Sequence, residues 1–101
     1  MTETVLRDIY LYLREHELVR NESEFSKNWL GKSDCYMRTL RYKKAEPSIG
    51  SFAICAVRLE HTLKQLSSHS VAEDLRRYGE LCRNHVTASA PQNLHQLRKS
   101  V

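Results

Sequence analysis

The chain has 101 residues, 41% hydrophobic and 28% charged, with a formal net charge of +4 from 16 basic and 12 acidic side chains. That length holds one domain with one modest core, and 3 Gly and 2 Pro are too few for an all-β or linker-dominated chain. No apolar run is long enough to span a membrane and no leader pattern opens the chain, so a cytoplasmic protein with no membrane partner is expected.

Taken in order, the apolar periodicity predicts an all-α, compact bundle of about five helices. The first runs from about Glu3 to His16, with Thr2 as a candidate cap and Val5, Leu6, Ile9, Leu13 and Tyr10 or Tyr12 as its inner face. Asn21 followed by Glu24 reads as a capping-box-like start for the second, which turns Phe25, Trp29 and Leu30 inward. Gly31 can end it at a positive φ, and Ser33 can N-cap a third helix running to Tyr42. There Tyr36, Met37 and Leu40 point one way, leaving Asp34, Arg38, Arg41 and Lys44 largely outside.

Pro47 and Ser48 open a fourth helix, with Ser48 as N-cap and a stripe of Ile49, Phe52, Ala56, Leu59, Leu63 and Leu66. Ser67 to Ser70 interrupt that stripe. Ser70 is the expected cap of a fifth helix from Val71 to about His85, with Glu73 and Asp74 in its first turn. Its apolar face, Val71, Leu75, Tyr78, Cys82 and Val86, either folds back on the fourth helix or forms a homodimer through helices 48–66 and 71–86. Residues 1–86 are thus expected to be a single domain and 87–101 a C-terminal tail, mobile or weakly helical.

Charge is unevenly spread. Residues 1–31 hold four basic and six acidic groups, residues 32–44 five and one, and the remainder seven and five. The positive excess therefore falls on the third helix and the loop after it, where phosphates could be approached.

The chemistry-bearing residues point away from catalysis. His16, His61, His69, His85 and His95 are scattered, and no phosphate loop, nucleophile elbow or paired acidic motif occurs. Cys82 and His85 are spaced like two metal ligands, but no second pair exists, so no metal site and no cofactor is expected. Cys35, Cys55 and Cys82 read as reduced thiols packed as small hydrophobes. Cys35, beside Lys32 at the start of the third helix, is the one thiol placed where a lowered pKa could make it a redox switch.

Gly31, Ser33, Tyr36 with Met37, Leu40, Lys43 with Lys44, Pro47 with Ser48, then Ile49, Phe52, Ala56 and Leu59 form a spaced series whose alignment with one family pattern needs no gap. This run resembles the second half of the Cro/C1 (Xre-type, lambda-repressor-like) helix-turn-helix domain, a likeness extending over about residues 5–60. Upstream, Glu22 and then Phe25 with Ser26 stand where that family has a Gln and a Leu-Ala pair, and one residue is added near Asn28 or Trp29. The resemblance implies a helix-turn-helix core with an extra C-terminal helix, and double-stranded DNA as partner.

The expected function is a small sequence-specific transcriptional regulator with no enzymatic activity, placing helix 33–42 in the major groove. Arg38 and Arg41 suit bidentate contact with guanine, and Ser33, Asp34 and Thr39 are shorter candidates. Lys32, Tyr42, Lys43 and Lys44, with Lys27 from the second helix, would hold phosphates. The rival reading is a helical adaptor or antiactivator that keeps the fold but binds protein.

Overall fold

The structure is a computed structural model describing residues 2–89, and among these it holds five helices and no strand. They are α1 (Thr2–Glu15), α2 (Glu22–Asn28), α3 (Tyr36–Lys43), α4 (Ile49–Leu63) and α5 (His69–Ser89). None of the described helices is long and apolar enough to cross a membrane. The expected all-α bundle is the observed fold.

One core joins all five helices. Leu6, Ile9, Tyr10 and Leu13 from α1 meet Phe25 and Leu30 around α2, Met37 and Leu40 of α3, Phe52, Cys55, Ala56 and Leu59 of α4, and Leu75 and Cys82 of α5. Spacings of three and four put these residues on one side of each helix, and their removal from water supplies the main drive to fold. α4 and α5 form the most extensive helix pair, so the apolar face of α5 folds back within its own chain. Tyr12 ties the other side of α5 to α1 by donating to Asp74 at 2.7 Å.

Several boundaries differ from the sequence reading. Ser33 does not cap α3. The helix starts three residues later behind Cys35, which makes no side-chain cap, while the Ser33 carbonyl accepts the Tyr36 N–H in a turn. α4 stops at Leu63, and its first residue, Ile49, is exposed where an inward position was expected. α5 begins at His69. The Ser68 hydroxyl, in place of Ser70, accepts from Val71 N, and Glu73 and Asp74 lie beyond the first turn. At its other end α5 continues through Thr87 to Ser89, so the expected chain exit at Thr87 is still helix. The remainder of the expected 87–101 tail lies outside the described residues.

Other local signals act as expected. Asn21 caps α2 by accepting from Glu24 N at 2.9 Å, although the Glu24 carboxylate reaches back to Arg20 N instead of closing the box on Asn21. Ser48 caps α4 by accepting from Ser51 N. Gly31 has φ +66, and a β-carbon there would stand 2.7 Å from the Ile54 methyl tip on α4. Lys44 closes α3 in the left-handed region at φ 53, with Ala45 N bonding back to Leu40 O at 3.0 Å, a helix ending that usually takes glycine.

Candidate nucleic-acid interface

The presentation of α3 begins with its buried side. Met37 and Leu40 anchor it in the core, and two polar ties fix it to α2. Met37 N donates to the hydroxyl of Ser26, a fully buried serine, at 3.3 Å. One turn further on, Arg41 grips the Glu22 carboxylate with both terminal nitrogens, one of them at 3.0 Å. The first tie joins the start of α3 to the later part of α2, and the second joins the end of α3 to the start of α2. Tilting α3 strains one or both. A seven-residue connection, 29–35, spans the two helices and is stitched by Lys32 N donating to Ser26 O at 3.0 Å.

Tyr36 fixes the far side. Its phenol accepts from Ser48 N at 2.9 Å and donates toward Ser51 Oγ, so the start of α3 and the cap of α4 share one hydrogen-bond group. Burial pushes the Tyr36 phenol up, but its hydrogen bonding with Ser48 and Ser51 and the Lys32 charge outweigh it and the net shift is downward.

Against this scaffold the expected contact residues separate. Arg38 and Tyr42 lie one turn apart on the outer face of α3, and Tyr42 is 88% exposed, a rare setting for an aromatic ring. No hydrogen bond or ion pair engages Arg38 among the described residues. Lys43 and Lys44 are exposed at the end of the helix, and Lys27 is exposed in the last turn of α2. These five side chains are displayed outward.

The others are engaged differently. Lys32 lies with its ammonium 5.6 Å from the Tyr36 ring centre. Ser33 and Asp34 belong to the connection, not to the helix, which corrects their expected place on a helix spanning 33–42. The Thr39 hydroxyl turns back to the Cys35 sulfur at 3.8 Å. Arg41, expected as an outward base reader, is exposed and paired with Glu22. Hydrogen bonds from Ser33 and then Thr39 draw the Cys35 thiol below its ordinary value.

The family comparison matches residues 6–97 to DUF6626, a family of unknown function. The chain belongs to DUF6626. No curated protein and no solved structure matches it. The DUF6626 match covers every residue of the surface described above.

Three residues of this DUF6626 chain organise the surface in ways the sequence reading did not assign: Ser26 and Glu22, which it placed only by the family resemblance, and Arg7, which it did not single out. Ser26 had a signal, since it precedes Trp29 and Leu30 by three and four residues and so falls on the apolar face of α2. The pairing of Glu22 had none, because its partners Arg7 and Arg41 are 15 and 19 residues away in the chain. Among the described residues no group of three or more metal-ligating side chains converges. The His85 ring packs on Phe52 with centres 4.2 Å apart. Cys82 instead faces Cys55 across α4 and α5, and a hydrogen bond together with burial pushes the Cys55 thiol up.

Proposed function

We propose that this chain is a small DNA-binding transcriptional regulator of the helix-turn-helix kind, with α3 entering the major groove. The observation that carries this reading is the outer stripe of α3, with Arg38 and Tyr42 exposed one turn apart and Lys43 and Lys44 beside them. Its opposite face is anchored by Met37, Leu40, Ser26 and Glu22. A rigid helix that presents one arginine at its centre and cations at its end suits a base contact flanked by phosphate contacts. Arg38 is the principal base reader. Tyr42, Lys43, Lys44 and Lys27 flank it, and Lys32, Ser33, Asp34 and Thr39 are peripheral.

Two-fold binding would need a second copy. The inner faces of α4 and α5 are used on each other, so a homodimer would use the outer side of α4, where Val57 is 67% exposed and Ile49 and Ile54 are also solvent-facing. The same patch favours the rival reading as a protein-binding module, since the first nine residues of α4 carry no charge on either face.

Binding-site selection from a random duplex library, followed by anisotropy titrations from about 50 to 300 mM salt, tests the proposal. Arg38→Ala should cost about 1–3 kcal/mol on the selected site and relax preference at one base, whereas Lys43→Ala should weaken all sequences alike. Equal losses on selected and random DNA for Arg38→Ala would remove the base-reading role. No affinity for any duplex at low salt would leave the protein-binding reading.

A further inference from the structure

Glu22 bridges arginines from two other helices. Arg41 of α3 grips it through both terminal nitrogens, and Arg7 of α1 reaches the same oxygen at 3.8 Å. The two guanidinium side chains are 38% and 46% exposed and the carboxylate only 20%, so the arginines shelter the acid. Paired guanidinium groups around a small oxyanion form a geometry that serves phosphate as well as carboxylate, because planar N–H forks match both. The site lies beside the exposed stripe of α3, since Arg41 immediately precedes Tyr42.

Resting on the nucleic-acid reading above, we infer that Arg7 and Arg41 form a backbone-phosphate site that Glu22 occupies in the free protein. On binding, a phosphodiester oxygen replaces the carboxylate on the two guanidinium groups, and Glu22 turns to solvent. No covalent bond changes. Arg41 therefore contacts the DNA backbone and not a base edge, and Arg7 extends the interface onto α1. The exchange lowers affinity for every sequence alike, because each binding event must first displace an internal anion.

The test uses the full chain and a short random-sequence duplex. Glu22→Gln should bind about three- to tenfold more tightly at low salt, with a salt dependence steeper by about one to two phosphate contacts. Glu22→Asp keeps the charge but withdraws the carboxylate, and should give part of the same gain. Asp8→Asn, an equal charge change on α1, should give little. In an Arg7→Gln/Arg41→Gln background the effect of Glu22→Gln should vanish. Circular dichroism confirms that each variant is folded at the assay temperature. Wild-type binding with no gain in Glu22→Gln or Glu22→Asp, or a gain that survives in the double-arginine background, overturns this inference alone. Absence of binding by wild type and Glu22→Gln alike overturns the nucleic-acid reading with it.

Discussion

Ser26 and Ser33 have reversed importance in sequence and structure, and a pair of alanine substitutions separates the two. Ser33 has the pattern of an N-cap, for which loss typically costs about 1 kcal/mol. In the structure it caps nothing: its carbonyl holds the Tyr36 N–H and its hydroxyl meets only the Cys35 sulfur at 3.6 Å. Ser26 is fully buried and receives the N–H of Met37, itself fully buried. Removing the Ser26 hydroxyl leaves that donor unpaired, at about 1–3 kcal/mol, and one oxygen atom leaves too little room for a replacement water. The bond is long at 3.3 Å, but both groups are fully buried, so Ser26→Ala should cost about 2 kcal/mol. For a domain of this size that lowers Tm by about 10 °C. Ser33→Ala should stay within about 0.5 kcal/mol of wild type. Urea and thermal unfolding followed by circular dichroism measure both. A Ser26→Ala protein within about 2 °C of wild type would refute the role given to this tie.

Other outcomes follow from the remaining contacts. Asp74 is drawn below its ordinary 3.8 first by the Tyr12 hydrogen bond and then by Arg77. A depressed folded value means stability that is present above the ordinary carboxylate range and lost as pH falls through the lower folded value. Tyr12→Phe should therefore lower stability at neutral pH and lower it less near pH 3, as read by urea unfolding at both; an equal loss at both would deny the linkage. Thiol titration of the native protein should show one fast group, Cys35, and two slow ones, Cys55 and Cys82, which are buried. Rapid reaction of all three would mean that α4 and α5 separate readily.

Much of the fold was legible because helical periodicity is a strong local signal. The inward faces of α1, α4 and α5, the Asn21 and Ser48 caps and the positive φ of Gly31 all followed from neighbouring residues. What escaped was decided at a distance or by competition between similar groups. Ser68 and Ser70 are both fit caps, and the choice between them depends on where α5 meets α4. Ser33 lost its expected role because the connection after α2 closes on Ser26, delaying the start of α3 to Tyr36. Ile49 matches the α4 stripe in spacing, yet lies a turn beyond the reach of the core. At the candidate interface, the basic cluster was visible in composition, whereas the difference between Arg38 and Arg41 was not. Both lie on a short helix three residues apart, and only the third dimension brings Glu22 to one of them.

Lys44 illustrates how fold and surface chemistry pull against each other in a small domain. Its left-handed backbone costs a residue with a β-carbon about 1–2 kcal/mol, a penalty that glycine escapes. The same position is the negative end of the α3 dipole, where a cation is favoured. An engineer raising the stability of this chain by the usual glycine replacement would remove a positive charge from the edge of the surface proposed to meet phosphate. Thermal robustness and affinity are thus opposed at this residue, and a variant selected for one should be assayed for the other.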